Sequence, residues 1–291
     1  MKVGFIGLGR MGAPMAKHLA TAHFTLSLFD RRAEAAASLA AELSARALTD
    51  PAQVAKESTV VVLSLPGYEQ VAGVMTGPGG ILDGAAPGLI VVDTTTVSIA
   101  QSRDLARQSL ERGVHYLDAP VSGAPIGITA ADAGTLTIMV GGRHEAFLEV
   151  EPVLASIGGN VRWVGPSGAG SAIKAINQAV YITYMTAFAE GLAIGEALGI
   201  STDNLLDTLG TAAAGNPTIS TKYEELKGRS NKAFAVDSAV RYFDILEDGS
   251  RDLPLLTPVF DATQRSLQDA AKQSLGASDL VIARHRYRRP V

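Results

Sequence analysis

Hydrophobic and polar positions alternate in blocks along the first half of the chain. Short runs of consecutive apolar residues are separated by stretches with helical spacing of apolar positions, such as 33–43 and 99–112. Strands that are apolar on both faces and joined by helices are typical of a parallel sheet covered on both sides. The pattern predicts strands at 3–7, 26–29, 60–65, 89–93 and 114–119.

The pattern changes after two further strand-like runs, at 135–142 and 161–165, which we expect to complete the sheet. From Ser171 to about Leu198 the residues are helical in character, and few of them break helices. A helix of roughly 28 residues would be about 42 Å long, longer than the core of a small domain. We therefore expect it to join two domains and to pack against a partner chain.

The length of 291 residues fits two moderate domains. We predict an α/β protein in which a doubly wound Rossmann-type domain at 1–165 binds a dinucleotide. An all-α C-terminal domain at 166–291, beginning with the long interdomain helix, would bind substrate and mediate dimerisation. The apolar helix needs cover, which predicts a homo-oligomer, either a homodimer or a homotetramer.

Composition narrows the classes of function. The chain is 47% hydrophobic with a net charge of −4, which predicts a globular protein and gives no attraction to nucleic acid or anionic membranes. The absence of cysteine excludes thiolate metal sites and fits the reducing cytoplasm. The five histidines lack metal-ligand spacing, so we expect no metal. We also expect neither a signal peptide nor a membrane span.

Three glycines follow the first predicted strand in the stretch GLGRMG, at Gly7, Gly9 and Gly12. Gly-x-Gly-x-x-Gly between a strand and a helix lets a pyrophosphate approach the backbone at the positive end of the helix. Alone, the pattern also fits an ordinary tight turn. Its position predicts that all six residues, including Leu8, Arg10 and Met11, contact a dinucleotide.

Asp30 ends the second predicted strand, 18 residues after Gly12. A carboxylate there accepts hydrogen bonds from ribose hydroxyls and repels a 2′-phosphate, which favours NAD. Arg31 and Arg32 follow directly, and a guanidinium there can stack on adenine or pair with a 2′-phosphate. NADP therefore stays open, as does a simple surface turn for both arginines.

Three further clusters occur at 118–124 (DAPVSGA), 134–136 (GTL) and 168–178 (GAGSAIKAINQ). Together with GLGRMG they resemble the β-hydroxyacid dehydrogenase family, which includes 3-hydroxyisobutyrate dehydrogenase and has a 6-phosphogluconate dehydrogenase-like plan. The similarity extends to about residue 283. The stretches SLP and DTTT resemble the cofactor-side loops of the family, which implies cofactor contacts from Leu65, Pro66 and Thr96.

The resemblance implies that Lys174 is the general acid/base that exchanges a proton with the substrate hydroxyl. A free lysine has a pKa of about 10.4, so this role requires desolvation or a nearby cation. Asn177 and Gln178 follow by three and four residues and share its helix face, so either amide could orient the hydroxyl. An ordinary surface lysine is the alternative.

The family pattern also implies a substrate carboxylate site at Ser122, Gly123 and Ala124. Glycine is common in the family where Ala124 stands, so the resemblance implies a slightly tighter pocket. A plain turn after the strand at 114–119 is the alternative for Ser122 and Gly123. Where relatives carry a Lys-Asp pair, this chain has Arg241-Tyr242. Arg241 is implied to contact substrate and nicotinamide, or else it is an exposed helical arginine.

The leading hypothesis is an NAD(P)-dependent β-hydroxyacid dehydrogenase or semialdehyde reductase that acts on a small hydroxy acid. NAD is preferred over NADP because of Asp30. Two alternatives remain: an imine reductase on a similar two-domain plan, and a dinucleotide-binding scaffold without catalysis. Such imine reductases usually lack a lysine at position 174.

Overall fold

In the computed structural model the described residues are 1–123, 127–216, 219, 227, 234–279 and 287. They fall into two compact units, Met1–Lys174 and Ala175–Val291. Across the described residues, no helix has both the length and the apolar character needed to cross a membrane.

The first unit is built on one mixed sheet. Its strands, among the residues described, are β1 (Lys2–Ile6), β2 (Thr25–Phe29), β3 (Arg46–Ala47), β4 (Val60–Leu63), β5 (Ile90–Asp93), β6 (His115–Asp118), β7 (Val121–Ser122), β8 (Thr137–Gly141) and β9 (Asn160–Gly165). The first six run parallel in the order β3-β2-β1-β4-β5-β6. This is the doubly wound order, so the predicted Rossmann-type fold is confirmed.

Helices alternate with these strands along the first unit. They are α1 (Gly12–Thr21), α2 (Ala33–Leu43), α3 (Pro51–Glu57), α4 (Tyr68–Thr76), α5 (Ile81–Gly84), α6 (Ile99–Leu110), α7 (Gly127–Asp132) and α8 (His144–Ile157). The helix predicted at 33–43 is confirmed, and the one predicted at 99–112 is present but ends at Leu110. Two buried clusters pack on opposite faces of the sheet: Val60 and Val62 belong to one, Val61 and Leu63 to the other. Apolar residues at every position of β4 are needed because both faces are buried.

One edge of the sheet differs from the parallel arrangement that the sequence predicts. Strands β6 and β7 both pair with β8 in antiparallel fashion, and β8 pairs with β9 in parallel. Only Ala119 and Pro120 separate β6 from β7, so the chain keeps its direction and β8 returns beside both. The two late runs therefore complete the sheet as expected, but with a mixed edge.

The second unit is helical in its described residues. Helix α9 (Ala169–Ala197) begins in the first unit and continues into the second, and is followed by α10 (Thr202–Thr211), α11 (Val236–Ser250) and α12 (Pro258–Ala270). After α12 the chain leaves helical geometry at Gln273 and Ser274, where Ser274 has a φ of +63°. Buried Ile182, Met185 and Phe188 of α9 pack in one cluster with Phe243 and Leu267. The predicted long helix and the all-α second domain are confirmed.

Candidate active site

The glycine-rich turn after β1 has a separate reason for each glycine. Gly7 has a φ of +95°, and its N–H donates to the Phe29 carbonyl at 2.9 Å. A Cβ at Gly7 would overlap the Ser64 carbonyl oxygen, and a Cβ at Gly12 would overlap that of Gly7. At Gly9 a Cβ would meet no heavy atom of the described chain within 4 Å. Two glycines therefore form the turn, and the third leaves an open approach to the backbone.

The turn leads into the N-terminus of α1, where backbone N–H groups carry partial positive charge. The first turn of α1 has no acidic residue. The strand that precedes it, β1, lies between β2 and β4, where the order of the sheet reverses. Ligands of doubly wound sheets bind at this position, so the geometry fits a dinucleotide pyrophosphate.

Asp30 follows β2 and is 9% exposed. Its Oδ2 accepts the Leu8 N–H at 2.8 Å, and its Oδ1 accepts the backbone N–H of Arg32 at 2.9 Å and Nε of that arginine at 3.0 Å. Burial acts to raise the pKa of Asp30, but the hydrogen bonds from Arg32 and Leu8 outweigh it and hold the pKa below its usual value. The ionised carboxylate thus ties β2 to the glycine turn. Arg31 and Arg32 are exposed.

The loops after β4 and β5 are joined by a threonine that sequence analysis did not single out. The Leu65 N–H donates to Thr95 Oγ1 at 3.1 Å, and the Thr95 N–H donates to Asp93 Oδ1 at 2.9 Å. Pro66 is exposed and Thr96 is half-buried. The stretch DTTT was the available signal, since it follows a fully buried strand.

Asp93 is buried and accepts the Tyr116 hydroxyl hydrogen bond at 2.6 Å. Burial raises the pKa of Asp93 to about 6, although the hydrogen bonds from Thr95 and Tyr116 oppose the rise. The buried carboxylate therefore fixes the position of Thr95 and of the loop that contains it.

Lys174 lies in α9 and is only 6% exposed. Burial lowers the pKa of its amine to about 8, because the charged form loses hydration. Desolvation is one of the two causes considered from sequence. An amine with this pKa is partly neutral near physiological pH and can both accept and donate a proton.

The two amides that follow Lys174 differ in exposure. Gln178 is 8% exposed, whereas Asn177 is exposed and donates from Nδ2 to Gln178 Oε1 at 3.1 Å. Residues four apart lie on the same face of a helix. Gln178 therefore shares the buried face of Lys174 more closely than Asn177 does.

The remaining predicted residues lie in different elements. Ser122 and Gly123 are half-buried at the end of β7, where Ser122 pairs with Thr137. Ala124 lies outside the described residues. Arg241 is exposed on α11, and its guanidinium carbon lies 5.9 Å from the ring centroid of Tyr242.

Comparison with known proteins connects this geometry with a family. Residues 2–165 match the NAD-binding domain of 6-phosphogluconate dehydrogenase, and residues 168–285 match the NAD-binding domain of NADP-dependent 3-hydroxyisobutyrate dehydrogenase. The chain belongs to the β-hydroxyacid dehydrogenase family. It is an NAD(P)-dependent enzyme of that family, as the sequence motifs implied.

Individual relatives cover from 74% to 99% of the chain. The 2-(hydroxymethyl)glutarate dehydrogenase of Eubacterium barkeri is 32% identical over 96% of this chain and 92% of its own. The NAD-dependent L-serine dehydrogenase of Pseudomonas aeruginosa is 37% identical over 74% of this chain and 71% of its own. A solved structure of 3-hydroxyisobutyrate dehydrogenase with L-serine, from Mycobacterium tuberculosis, is 27% identical, covers 99% of both chains and has a TM-score of 0.86.

Proposed function

We propose that this β-hydroxyacid dehydrogenase interconverts small carboxylates bearing an α-hydroxymethyl group and their semialdehydes, with Lys174 as general acid/base. The observation that carries the proposal is the burial of the Lys174 amine, which brings its pKa to about 8. The named relatives support the substrate class. 2-(Hydroxymethyl)glutarate, L-serine and 3-hydroxyisobutyrate each have a primary alcohol one carbon away from the carbon that bears the carboxylate.

The part of the reaction that the protein itself performs is proton exchange at Nζ of Lys174. In the oxidative direction the neutral amine accepts the hydroxyl proton of the substrate, and in the reductive direction the ammonium returns it to the carbonyl oxygen. The nicotinamide of a bound dinucleotide supplies the hydride chemistry. Gln178 and Asn177 are the amides that orient the hydroxyl, and the burial of Gln178 favours it for this task.

The substrate carboxylate is assigned to Ser122 and Gly123, through a hydroxyl and a backbone N–H, with Ala124 beside them. Arg241 is a further proposed partner of the carboxylate and of the nicotinamide, since its planar guanidinium can form two parallel hydrogen bonds. Its exposure on α11 supports availability to a ligand.

The residues present fit a dinucleotide, and we assign it to the stretch GLGRMG. Gly9 gives open backbone, and we assign the ribose hydroxyls to the ionised carboxylate of Asp30. Leu65, Pro66 and Thr96 are assigned to the nicotinamide side. NAD is the preferred cofactor in this proposal, because the ionised Asp30 would repel a 2′-phosphate.

We assign nucleotide binding to residues 1–165, and substrate binding and self-association to residues 166–291. Helix α9 exposes apolar side chains, among them Ile176, Val180 and Ile194. A second copy of the chain would cover them in a homo-oligomer. A monomer at micromolar concentration in sedimentation would contradict this part.

The experiment is a rate screen with NAD⁺ and NADP⁺, using 3-hydroxyisobutyrate, L-serine, glycerate and 2-(hydroxymethyl)glutarate. The matched control substrate is 4-hydroxybutyrate, whose primary alcohol lies one carbon farther from the carboxylate. We expect higher kcat/KM for at least one α-hydroxymethyl acid than for 4-hydroxybutyrate. Equal rates for all the acids, or no turnover of any of them with either cofactor, would contradict the proposal.

A further inference from the structure

Asp118 ends β6 and is 1% exposed. Its Oδ1 accepts the Gly168 N–H at 2.7 Å, and its Oδ2 accepts the Ser171 N–H at 2.9 Å. Both donors belong to the start of α9, fifty or more residues farther along the chain. The first N–H groups of a helix have no partner within the helix, and Gly168 has no side chain with which to cap them. A distant carboxylate therefore performs the capping.

The surrounding backbone leaves room for this carboxylate. A Cβ at Gly141 would lie 2.7 Å from Asp118 Oδ1, and one at Gly170 would overlap the Met139 carbonyl oxygen. Gly168 has a φ of +90°, a conformation that favours glycine. Three glycines thus allow the carboxylate and the first turn of α9 to meet.

A second contact holds the same turn. Ser171 Oγ lies 2.7 Å from Ser102 Oγ of α6, and both serines are buried. Ser171 precedes Lys174 by three residues, so the two lie on the same face one turn apart. The helix turn that carries the amine is therefore attached both to the end of β6 and to α6.

The burial of Asp118 has a cost that its contacts offset only in part, since its pKa stays above the usual value. Burial raises the pKa of Asp118, while the N–H groups of Gly168 and Ser171 act in the opposite direction. The partial positive charge of the N-terminus of α9 also favours the carboxylate. The neighbouring carboxylate, Asp93, faces it from β5, where the two are paired in register, and is hydrogen-bonded to Thr95 and Tyr116 instead.

We infer that Asp118 is a positioning residue for Lys174: by capping α9 it fixes the first turns of the helix and keeps the amine buried. This inference rests on the proposed role of Lys174 in proton exchange. It goes beyond that role because it assigns the orientation of the amine to a buried residue whose carboxylate is bonded to the backbone of Gly168 and Ser171.

A purely electrostatic effect of Asp118 and a positional effect would change the pKa of Lys174 in opposite directions. If the carboxylate acted on Lys174 only by its charge, removing it would destabilise the ammonium and lower the pKa of the amine. If it acts by position, removing it admits water to the amine and raises that pKa toward its ordinary value. The sign of the change separates the two explanations.

The test is the pH dependence of Lys174 acylation by acetic anhydride in the full chain, measured by mass spectrometry of the peptide that contains this lysine. We expect a midpoint near 8 in the wild type and a higher midpoint in Asp118→Asn, because asparagine cannot accept both N–H groups through carboxylate oxygens. With L-serine as the probe substrate, kcat should fall about 10- to 100-fold, as expected for small misplacements of a reacting group. Asp118→Glu keeps a carboxylate, so its Lys174 midpoint and its kcat should lie between those of the wild type and those of Asp118→Asn.

Asp50→Asn is the matched control, because Asp50 caps α3 by accepting the Gln53 N–H at 2.8 Å. It should lower the melting temperature without moving the Lys174 midpoint. If Asp118→Asn does not fold, Ser102→Ala is measured instead, and we expect a smaller rise of the Lys174 midpoint. An unchanged or lowered midpoint in the folded variant would overturn the inference. Failure of the proposed function would appear separately, as an unchanged kcat in Lys174→Ala.

Discussion

Two loop-to-helix junctions, those before α1 and α9, have similar glycine-rich sequences but differ in what binds the N–H groups of the helix. GLGRMG before α1 has no acidic residue in its first helical turn and an open position at Gly9. The junction GPSGAG at the start of α9 is closed, because Asp118 accepts the N–H groups of Gly168 and Ser171. The difference teaches that an uncapped helix N-terminus can receive a ligand anion, whereas one capped by the protein holds its helix in place.

Lys174 lies in the first turns of the helix after the second junction. Of the variants considered, Lys174→Ala should have the largest effect on activity. We expect kcat to fall about 10²- to 10⁴-fold, because the acid/base group is lost. Dinucleotide affinity, measured by quenching of protein fluorescence, should stay within a few-fold. Lys56→Ala, at an exposed lysine of α3, is the control and should change neither quantity. Retained turnover in Lys174→Ala would contradict the assignment.

The same amine should set the pH profile. Oxidation requires neutral Lys174, so kcat/KM should rise about tenfold per pH unit below the pKa and level off above about pH 8. Reduction requires the ammonium, so its kcat/KM should fall above that pH. Steady-state rates in both directions across pH 6 to 10, roughly spanning this pKa, provide the measurement. Profiles with the same direction in both reactions would argue against Lys174 as the titrating group.

A substitution at Gly9 in the first junction should weaken dinucleotide binding without lowering the melting temperature. A methyl group at Gly9 has room in the described structure but would project where the backbone must approach a pyrophosphate. Gly9→Ala should therefore weaken NAD⁺ binding by about tenfold or more, while the melting temperature stays unchanged. Gly12→Ala is the contrasting variant, since its Cβ would overlap the Gly7 carbonyl oxygen, and it should lower both. Normal NAD⁺ affinity in Gly9→Ala would remove the binding assignment.

Cofactor preference should show the smallest effect. Asp30→Asn removes the charge that repels a 2′-phosphate and leaves Arg32 without its ion-pair partner at 3.0 Å. The ratio of kcat/KM for NADP⁺ to that for NAD⁺ should rise by about tenfold. Arg31→Ala, which leaves Asp30 intact, should change the ratio less. A wild type that already prefers NADP⁺ would contradict the preference for NAD.

Much of the fold could be predicted because it follows from local pattern. All described strands except the two-residue β3 and β7, and also the long helix, were found from runs of apolar residues and from helical spacing, which depend on neighbouring positions only. The mixed edge was missed because pairing direction depends on where the chain returns after β7. At the site, Thr95 and Asp118 were not singled out as individual residues, since each acts through a partner distant in sequence.

What the sequence determined by itself was the order of elements, the glycine turn and the family motifs, because these are properties of adjacent residues. Only the tertiary structure decided that Lys174 is buried, that Gln178 is more buried than Asn177, and that Asp118 caps α9. The physical reason is that desolvation and capping depend on which atoms surround a group in space. A lysine in a helix has the same local sequence whether water reaches it or not, and its pKa differs accordingly.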